Sequence, residues 1–317
     1  MVAVHSTVRG PGLGGCRMWR YDDARAAIRD ALRLSRGMTY KSAVAGLPLG
    51  GGKGVIMLRP GQPVPDRADV LRDFADAVER MDGAYVTAED VGTSTADMDV
   101  IAERTAHVTG RAPEHGGSGD PSPWTALGVV TAIEVACEHR FGTADMAGRS
   151  VAVVGMGSVG FRVAEQLAAA GARIVAADID ASKRPAAEAL GATWMAPGDA
   201  ALAEVDVYAP CALGAVLNED TIPALRAPVV AGAANNQLAN DGDAVALAER
   251  GILWVPDFVA NAGGIINISV ELADGGYDAA VAEQRVRSIG DTVRSIVAAG
   301  GDPLAAAMAI AERNLAV

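Results

Sequence analysis

Residues 151–178 read VAVVGMGSVGFRVAEQLAAAGARIVAAD, and their reading decides the fold of half the chain. Val151 to Val154 reads as a short strand. It breaks at Gly155-Met156-Gly157-Ser158-Val159-Gly160. Helical spacing follows at Val163, Leu167 and Ala170, and a second strand, Ile174 to Ala177, ends at Asp178. Gly155, Gly157 and Gly160 allow a tight turn and bring a pyrophosphate close to a helix N-terminus. Asp178 would accept hydrogen bonds from a ribose hydroxyl and repel a 2′-phosphate, with Asp180 as a second acid. The pattern in this setting predicts dinucleotide binding, by NAD rather than NADP.

Working outward, further βα units follow. Val205 to Ala209 ends in Pro210-Cys211-Ala212, Val229 to Ala231 ends in Gly232-Ala233-Ala234-Asn235-Asn236, and Ile252 to Val255 ends in Pro256-Asp257. Small and polar residues at strand ends suit a cofactor lying across them. Asn235 and Asn261 suit a carboxamide or a carboxylate, and they suit loop capping equally well. Upstream, Gly116 to Pro123 is the clearest break in composition, which divides the chain into residues 1–121 and 122–317. The expected fold is α/β in two domains: an N-terminal α/β substrate or catalytic domain, and a Rossmann-type domain, with a cleft between them. A closing helix, residues 300–317, is expected to pack back on the first domain.

Within the first half, Gly37 to Leu58 (GMTYKSAVAGLPLGGGKGVIML) holds two charged side chains, Lys41 and Lys53, and no acid. A lone lysine is ordinarily a solvated surface residue. Here small and apolar company implies burial, and two ammonium groups in one poorly solvated pocket disfavour each other's charge. One lysine is then a base near neutral pH, and the other holds an anion such as a carboxylate. Gly50, Gly51 and Gly52 are expected to let a substrate approach the backbone. Gly12 to Arg17 (GLGGCR) reads as a glycine turn, either facing an anion or merely tight. Ala24, Ile28, Ala31 and Leu32 mark a helix over residues 22–36, Asp66 to Met81 reads as another, and a proline-rich loop spans Arg59 to Pro65. Tyr85 to Ala88 reads as a strand ending in Glu89-Asp90-Val91-Gly92. Asp90 is the acid best placed for chemistry, whereas Ser94 and Asp97 resemble a helix-capping pair.

Composition bounds the rest. The 317 residues carry a formal charge of −12, which argues against nucleic acid and anionic membranes as partners. Cys16, Cys137 and Cys211 are scattered and odd in number, so no disulfide framework is implied. His5, His107, His115 and His139 show no metal-ligand spacing. No signal peptide or bilayer-length apolar run is visible, and the expected compartment is the cytoplasm.

GPGLGGCRMW, GMTYK, LPLGGGKGVI, AEDVGTSTADMD, SGDPSPWTALGV, the nucleotide fingerprint, APCALG, AGAANNQLA and DFVANAGGIINI occur in this order. That series, covering nearly the whole chain, resembles the Glu/Leu/Phe/Val amino acid dehydrogenases, most closely their leucine, valine and phenylalanine branch. The resemblance implies NAD-dependent, reversible conversion of an L-amino acid to its 2-oxo acid and ammonia. It implies that Lys41, helped by the backbone of Gly14 and Gly15, binds the substrate carboxylate. Lys53 would be the general base, and Asp90 would exchange protons with the amino group. Thr125, Cys211, Ala233, Asn235 and Asn261 would line the cofactor or substrate. Leu13, Ala88, Ile265 and Ile268 would line the side-chain pocket, where branched residues favour leucine, valine or isoleucine. Phenylalanine- or tryptophan-type activity, separable by relative turnover, is the alternative. A catalytically silent NAD-binding protein is the alternative from another class. A homo-oligomer, at least a dimer, is implied. The helix and edge strand that precede Val2 in the family have no counterpart here, and the C-terminal end is short.

Overall fold

A computed structural model describes residues 1–61 and 66–316; the end of the Arg59–Pro65 loop lies outside them. Two compact units emerge. The first comprises Met1–Pro121, Ile265–Ala282 and Ile310–Val317, and the second Ser122–Gly264 and Glu283–Ala309. The first division falls at 121/122, and two later segments rejoin the first unit.

In the first unit the elements run β1 (Val2–Ser6), β2 (Gly12–Arg20), α1 (Ala24–Val44), β3 (Gly50–Leu58), α2 (Arg67–Glu79), β4 (Tyr85–Glu89) and α3 (Thr95–Ala102). The sheet order is β1-β3-β2-β4, with β1 antiparallel to β3 and β2 parallel to both its neighbours. Gly12 to Arg17 is thus no turn but the start of a strand paired on both sides. Its glycines are dictated by crowding. A Cβ on Gly14 would sit 1.8 Å from the Gly52 carbonyl oxygen, and one on Gly15 would sit 2.6 Å from Asp90 Cβ.

The helix over 22–36 continues through Lys41 to Val44, and its buried face differs from the expected one. Ala27 and Ala31 are buried, whereas Ile28 and Leu32 are about half exposed, at 46% and 57%. The reason is close approach: a Cβ on Gly51 would lie 2.2 Å from the Thr39 nitrogen. Only small side chains fit between such a helix and a glycine-rich strand. The triple glycine likewise admits the chain itself rather than a substrate. Added Cβ atoms on Gly50 and Gly52 would lie 1.9 Å from Ser6 O and 2.4 Å from the Tyr85 ring. On the opposite sheet face, Cys16, Met18, Ile56, Phe74, Tyr85 and Met98 form an apolar core, each such burial contributing roughly 1.5–3 kcal/mol. Ser94 and Asp97 form the expected capping box at the start of α3.

The second unit opens with α4 (Ser122–Phe141). Then come β5 (Ser150–Val154), α5 (Ser158–Ala169), β6 (Arg173–Ala177), β7 (Thr193–Trp194), β8 (Val207–Pro210), β9 (Val229–Val230) and β10 (Leu253–Trp254). Every pairing is parallel and the order is β10-β9-β8-β5-β6-β7. Counted from β5, that is 3-2-1-4-5-6 reversed end for end, the doubly wound order, whose switch point lies between β5 and β8. Val151, Ala152 and Val153 are fully buried, as a strand covered by helices on both faces requires. Among the described residues, no helix is long and apolar enough to cross a membrane.

Candidate active site

Parallel register assembles the site of the first unit. β2 pairs with β4 through Leu13↔Val86, Gly15↔Ala88 and Cys16↔Glu89, and with β3 through Leu13↔Gly51 and Cys16↔Gly54. Side chains alternate along strands, so Leu13, Arg17, Lys53 and Ala88 share one sheet face. Asp90, one residue beyond β4, continues that row. Lys53 Nζ lies 2.8 Å from Asp90 Oδ2, with only 5% of the lysine side chain exposed.

Burial pushes Lys53 below the usual lysine value, and the Asp90 carboxylate opposes this without cancelling it. Arg17 is a cation that adds to the lowering. Burial pushes Asp90 up, but Lys53 and Arg17 outweigh it and hold the carboxyl below its ordinary range. The expectation of a lysine with no acid was local to its stretch, because the partner acid arrives from β4. Arg17 was missed in the sequence, although it closes the quoted GLGGCR; nothing local distinguishes it from a surface arginine.

Lys41 sits in the last turn of α1, the helix packed on Gly51, and is half buried. The Gly14 carbonyl accepts from the Tyr85 hydroxyl. Leu13 and Ala88 are buried at 1% and 2% exposure. Ile265 and Ile268, on the helix Gly263–Glu271, are also buried.

In the second unit, Gly155 has φ +107°, and a Cβ there would lie 2.7 Å from Ala212 Cβ. A Cβ on Gly160 would lie 1.8 Å from the Gly155 carbonyl oxygen, binding helix to turn. Gly157, the N-cap of α5, is exposed and has nothing within 4 Å of an added Cβ. The crest is therefore tight behind and open in front, which fits a pyrophosphate at a helix N-terminus. Asp178 Oδ2 accepts from Met156 N at 2.7 Å and from Lys183 Nζ at 2.9 Å, and Oδ1 accepts from Asp180 N at 2.9 Å. Burial pushes Asp178 up, and these donors more than reverse it. Lys183 also went unnoticed in the sequence.

Beside this crest, Asn261 donates to Ala233 O at 3.0 Å and Asn235 Oδ1 at 2.9 Å. Asn261 Oδ1 is buried without a protein partner among the described residues, a position suited to a carboxamide or other N–H donor. A Cβ on Gly263 would lie 3.1 Å from Thr125 N, so the start of α4 packs against the Asn261–Gly264 segment. Cys211 Cβ would be 3.0 Å from a Cβ on Gly160, and burial pushes its thiol up to about 11. Gly155, Gly160, Thr125, Cys211, Ala233, Asn235 and Asn261 thus fall along one linked series of contacts.

A doubly wound dinucleotide unit, joined to an α/β unit whose strands carry a buried Lys–Asp pair, is the architecture of the two-domain amino acid dehydrogenases. The chain belongs to the Glu/Leu/Phe/Val dehydrogenase family. The model described as "Glu/Leu/Phe/Val dehydrogenase, dimerisation domain" matches residues 1–107, and that of "Glutamate/Leucine/Phenylalanine/Valine dehydrogenase" matches 116–182 and 179–298. Leucine dehydrogenase of Bacillus cereus is 46% identical over 299 residues, 94% of this chain and 80% of that one. Valine dehydrogenase of Streptomyces coelicolor is 44% identical over 329 residues, covering 100% of this chain and 88% of its own. The crystal structure of L-tryptophan dehydrogenase from Nostoc punctiforme superposes with a TM-score of 0.84 at 38% identity, covering 99% and 91% of the two chains.

Proposed function

We propose that the protein catalyses the reversible, NAD-dependent oxidative deamination of a branched-chain L-amino acid, leucine, valine or isoleucine, to its 2-oxo acid and ammonia. The observation that carries this reading is the buried Lys53–Asp90 contact at 2.8 Å, with a lysine held below its ordinary value. It has the support of relatives named leucine and valine dehydrogenases.

In this mechanism Lys41 holds the substrate carboxylate as a point charge, with the Gly14–Gly15 backbone beside it. Asp90 takes a proton from the substrate ammonium, leaving a neutral amine whose lone pair assists loss of hydride from the α-carbon. The nicotinamide, when bound, supplies the hydride acceptor. Lys53 in its unprotonated form, which burial favours, takes a proton from water as that water attacks the imine carbon. As the carbinolamine collapses, Asp90 gives its proton to the leaving nitrogen, and Lys53, having released its first proton to solvent, takes the proton of the carbinol hydroxyl as the carbonyl forms and ammonia departs. Leu13, Ala88, Ile265 and Ile268 receive the aliphatic side chain. A methylene more or less there is worth about 1–3 kcal/mol of discrimination.

Gly155, Gly157 and Gly160 would hold the pyrophosphate, and Asn235 and Asn261 would face the nicotinamide end. The ionised Asp178 would accept from the ribose hydroxyls, which favours NAD over NADP. The protein is proposed to work in the cytoplasm as a homo-oligomer of at least two copies, a reading supported by the family description of residues 1–107. The test is NADH formation at alkaline pH with leucine, valine, isoleucine, phenylalanine, tryptophan and glutamate in parallel. Turnover of the aliphatic substrates is expected. Turnover of the aromatic ones alone would discard the pocket, and none at all beside measurable NADH binding would mean a silent binding protein.

A further inference from the structure

We propose that Arg17 is the positioning residue of the Lys53–Asp90 pair, and that Asp30 on α1 sets how strongly Arg17 acts. The proposal rests on the dehydrogenase reading for its meaning, though its test does not need turnover. Arg17 Nε lies 3.0 Å from Asp90 Oδ2, the same oxygen that meets Lys53 Nζ at 2.8 Å. Both cations thus converge on one oxygen.

The other edge of the guanidinium is held as firmly. Arg17 Nη1 lies 2.9 Å from Asp30 Oδ2, the Tyr21 hydroxyl donates to that oxygen at 2.6 Å, and Arg33 Nη2 lies 3.3 Å from Asp30 Oδ1. The result is a relay, Tyr21–Asp30–Arg17–Asp90–Lys53, drawn from β2 and the residue after it, α1, the residue just beyond β4, and β3. A planar guanidinium can bridge two carboxylates at fixed spacing, which a lysine ammonium on a flexible stem does not reproduce. Arg17 also stands two residues along β2 from Gly15, where any side chain would displace Asp90. The strand therefore clears space for Asp90 and supplies the group that orients it.

The charges make the relay a lever. Without Arg17, Asp90 turns wholly to Lys53 and strengthens its hold on the lysine proton. Without the Asp30 charge, Arg17 leans on Asp90 alone and its repulsion of the Lys53 ammonium is no longer offset. The two changes move Lys53 in opposite directions. Other titratable groups coupled to the pair are Cys16 on β2 and Tyr85 and Glu89 on β4, and Cys16 in turn feels Asp97 on α3 and the Met1 amino group. They are common to every variant, so differences between variants do not arise from them. Tyr21, pushed up to about 12 by burial and then by Asp30, remains a neutral donor throughout.

The sequence offers a direct reporter. Of its 27 cationic side chains only Lys41, Lys53 and Lys183 are lysines, so lysine labelled with 13C at Cε gives three signals. The Lys53 signal is assigned by its loss in Lys53→Met. Its titration is then followed in the wild type and in Arg17→Gln, Arg17→Lys and Asp30→Asn, each checked for folding by circular dichroism. The expected midpoint rises in Arg17→Gln and falls in Asp30→Asn, each by about one pH unit, while Arg17→Lys stays between Arg17→Gln and the wild type. The pH profile of kcat/KM with leucine should move in the same directions. Shifts of one sign in both variants, or an unmoved Lys53 in a folded Asp30→Asn protein, overturn the proposal. Should Arg17→Gln fail to fold, Arg17→Lys and Asp30→Asn decide. Absence of turnover with a normal pattern of titration shifts would sink the proposed reaction and leave the relay standing.

Discussion

In the Rossmann-type unit, the glycines and the acid that would hold a dinucleotide lie between residues 155 and 178, on one strand, one turn, one helix and the next strand. The Lys53–Asp90 site draws instead on residues 17, 30, 53 and 90, brought together by two parallel ladders and a helix laid across them. The contrast is one of how each site is built into its fold. At the dinucleotide crest the outermost glycine faces open space. At the Lys–Asp site the glycines are filled by neighbouring backbone and the charges are locked to each other. Function at the crest should thus be separable from stability, whereas the strand site should give up both together wherever its glycines are touched.

The largest expected effect probes the one exception, a side chain rather than a glycine. Lys53→Ala should lower kcat about 10²–10⁴-fold with a far smaller effect on the urea midpoint, because Arg17 still pairs with Asp90. Initial rates and urea melts on the same preparation check it; full activity in the variant would remove Lys53 from the mechanism.

Next come two glycines, one from each region. Gly14→Ala drives a Cβ into the Gly52 carbonyl at 1.8 Å and should cost about 3 kcal/mol or more, or abolish folding. Gly157→Ala meets nothing within 4 Å. It should melt within about 2 °C of the wild type while weakening NADH roughly tenfold, since the methyl group enters the proposed pyrophosphate space. Thermal melts and NADH fluorescence titration separate the two. Equal stability losses would break the comparison.

The smallest effect lies on the sheet's other side. Arg67 meets both Asp97 oxygens at 2.7 Å but is itself about half exposed, so Arg67→Ala should cost about 1 kcal/mol or less. Burial raises Asp97, and Arg67 and Ser94 more than reverse this, giving a folded value below the unfolded one. A depressed carboxyl stabilises the fold above its unfolded value and loses that contribution as pH falls through the folded value. The Tm difference between variant and wild type should therefore be full at neutral pH and shrink toward zero in acid below the ordinary carboxylate range. A difference that persists there would mean that Arg67 acts through packing.

The same contrast explains what the sequence could disclose. The second unit was legible because its signal is contiguous: a β-branched run, spaced glycines, a helix and an acid at the next strand end. Lys53 and Asp90 could each be singled out, one by its company and the other by its place at a strand end. Their contact could not, because register between strands β2, β3 and β4 is a property of the sheet. Gly12 to Arg17 was misread as a turn since glycines normally weaken strands, and only the crowding at Gly14 and Gly15 reveals why this one needs them. The buried face of α1 was half misread for a related reason. Large apolar residues define a periodicity, but a helix lying on glycine buries alanine and serine and leaves Ile28 and Leu32 outside.

The placement of the three lysines has a practical consequence. Lys53 is sealed against Asp90, Lys41 closes α1, and Lys183 holds Asp178. Reagents that seek primary amines, such as activated esters or the aldehydes used to tether enzymes to a support, find no lysine elsewhere on the chain. Besides the terminal amine, such chemistry must react at a candidate site or not at all. Immobilisation through lysine would therefore strike a candidate site, and the same reagents at low dose would serve as labels for those sites.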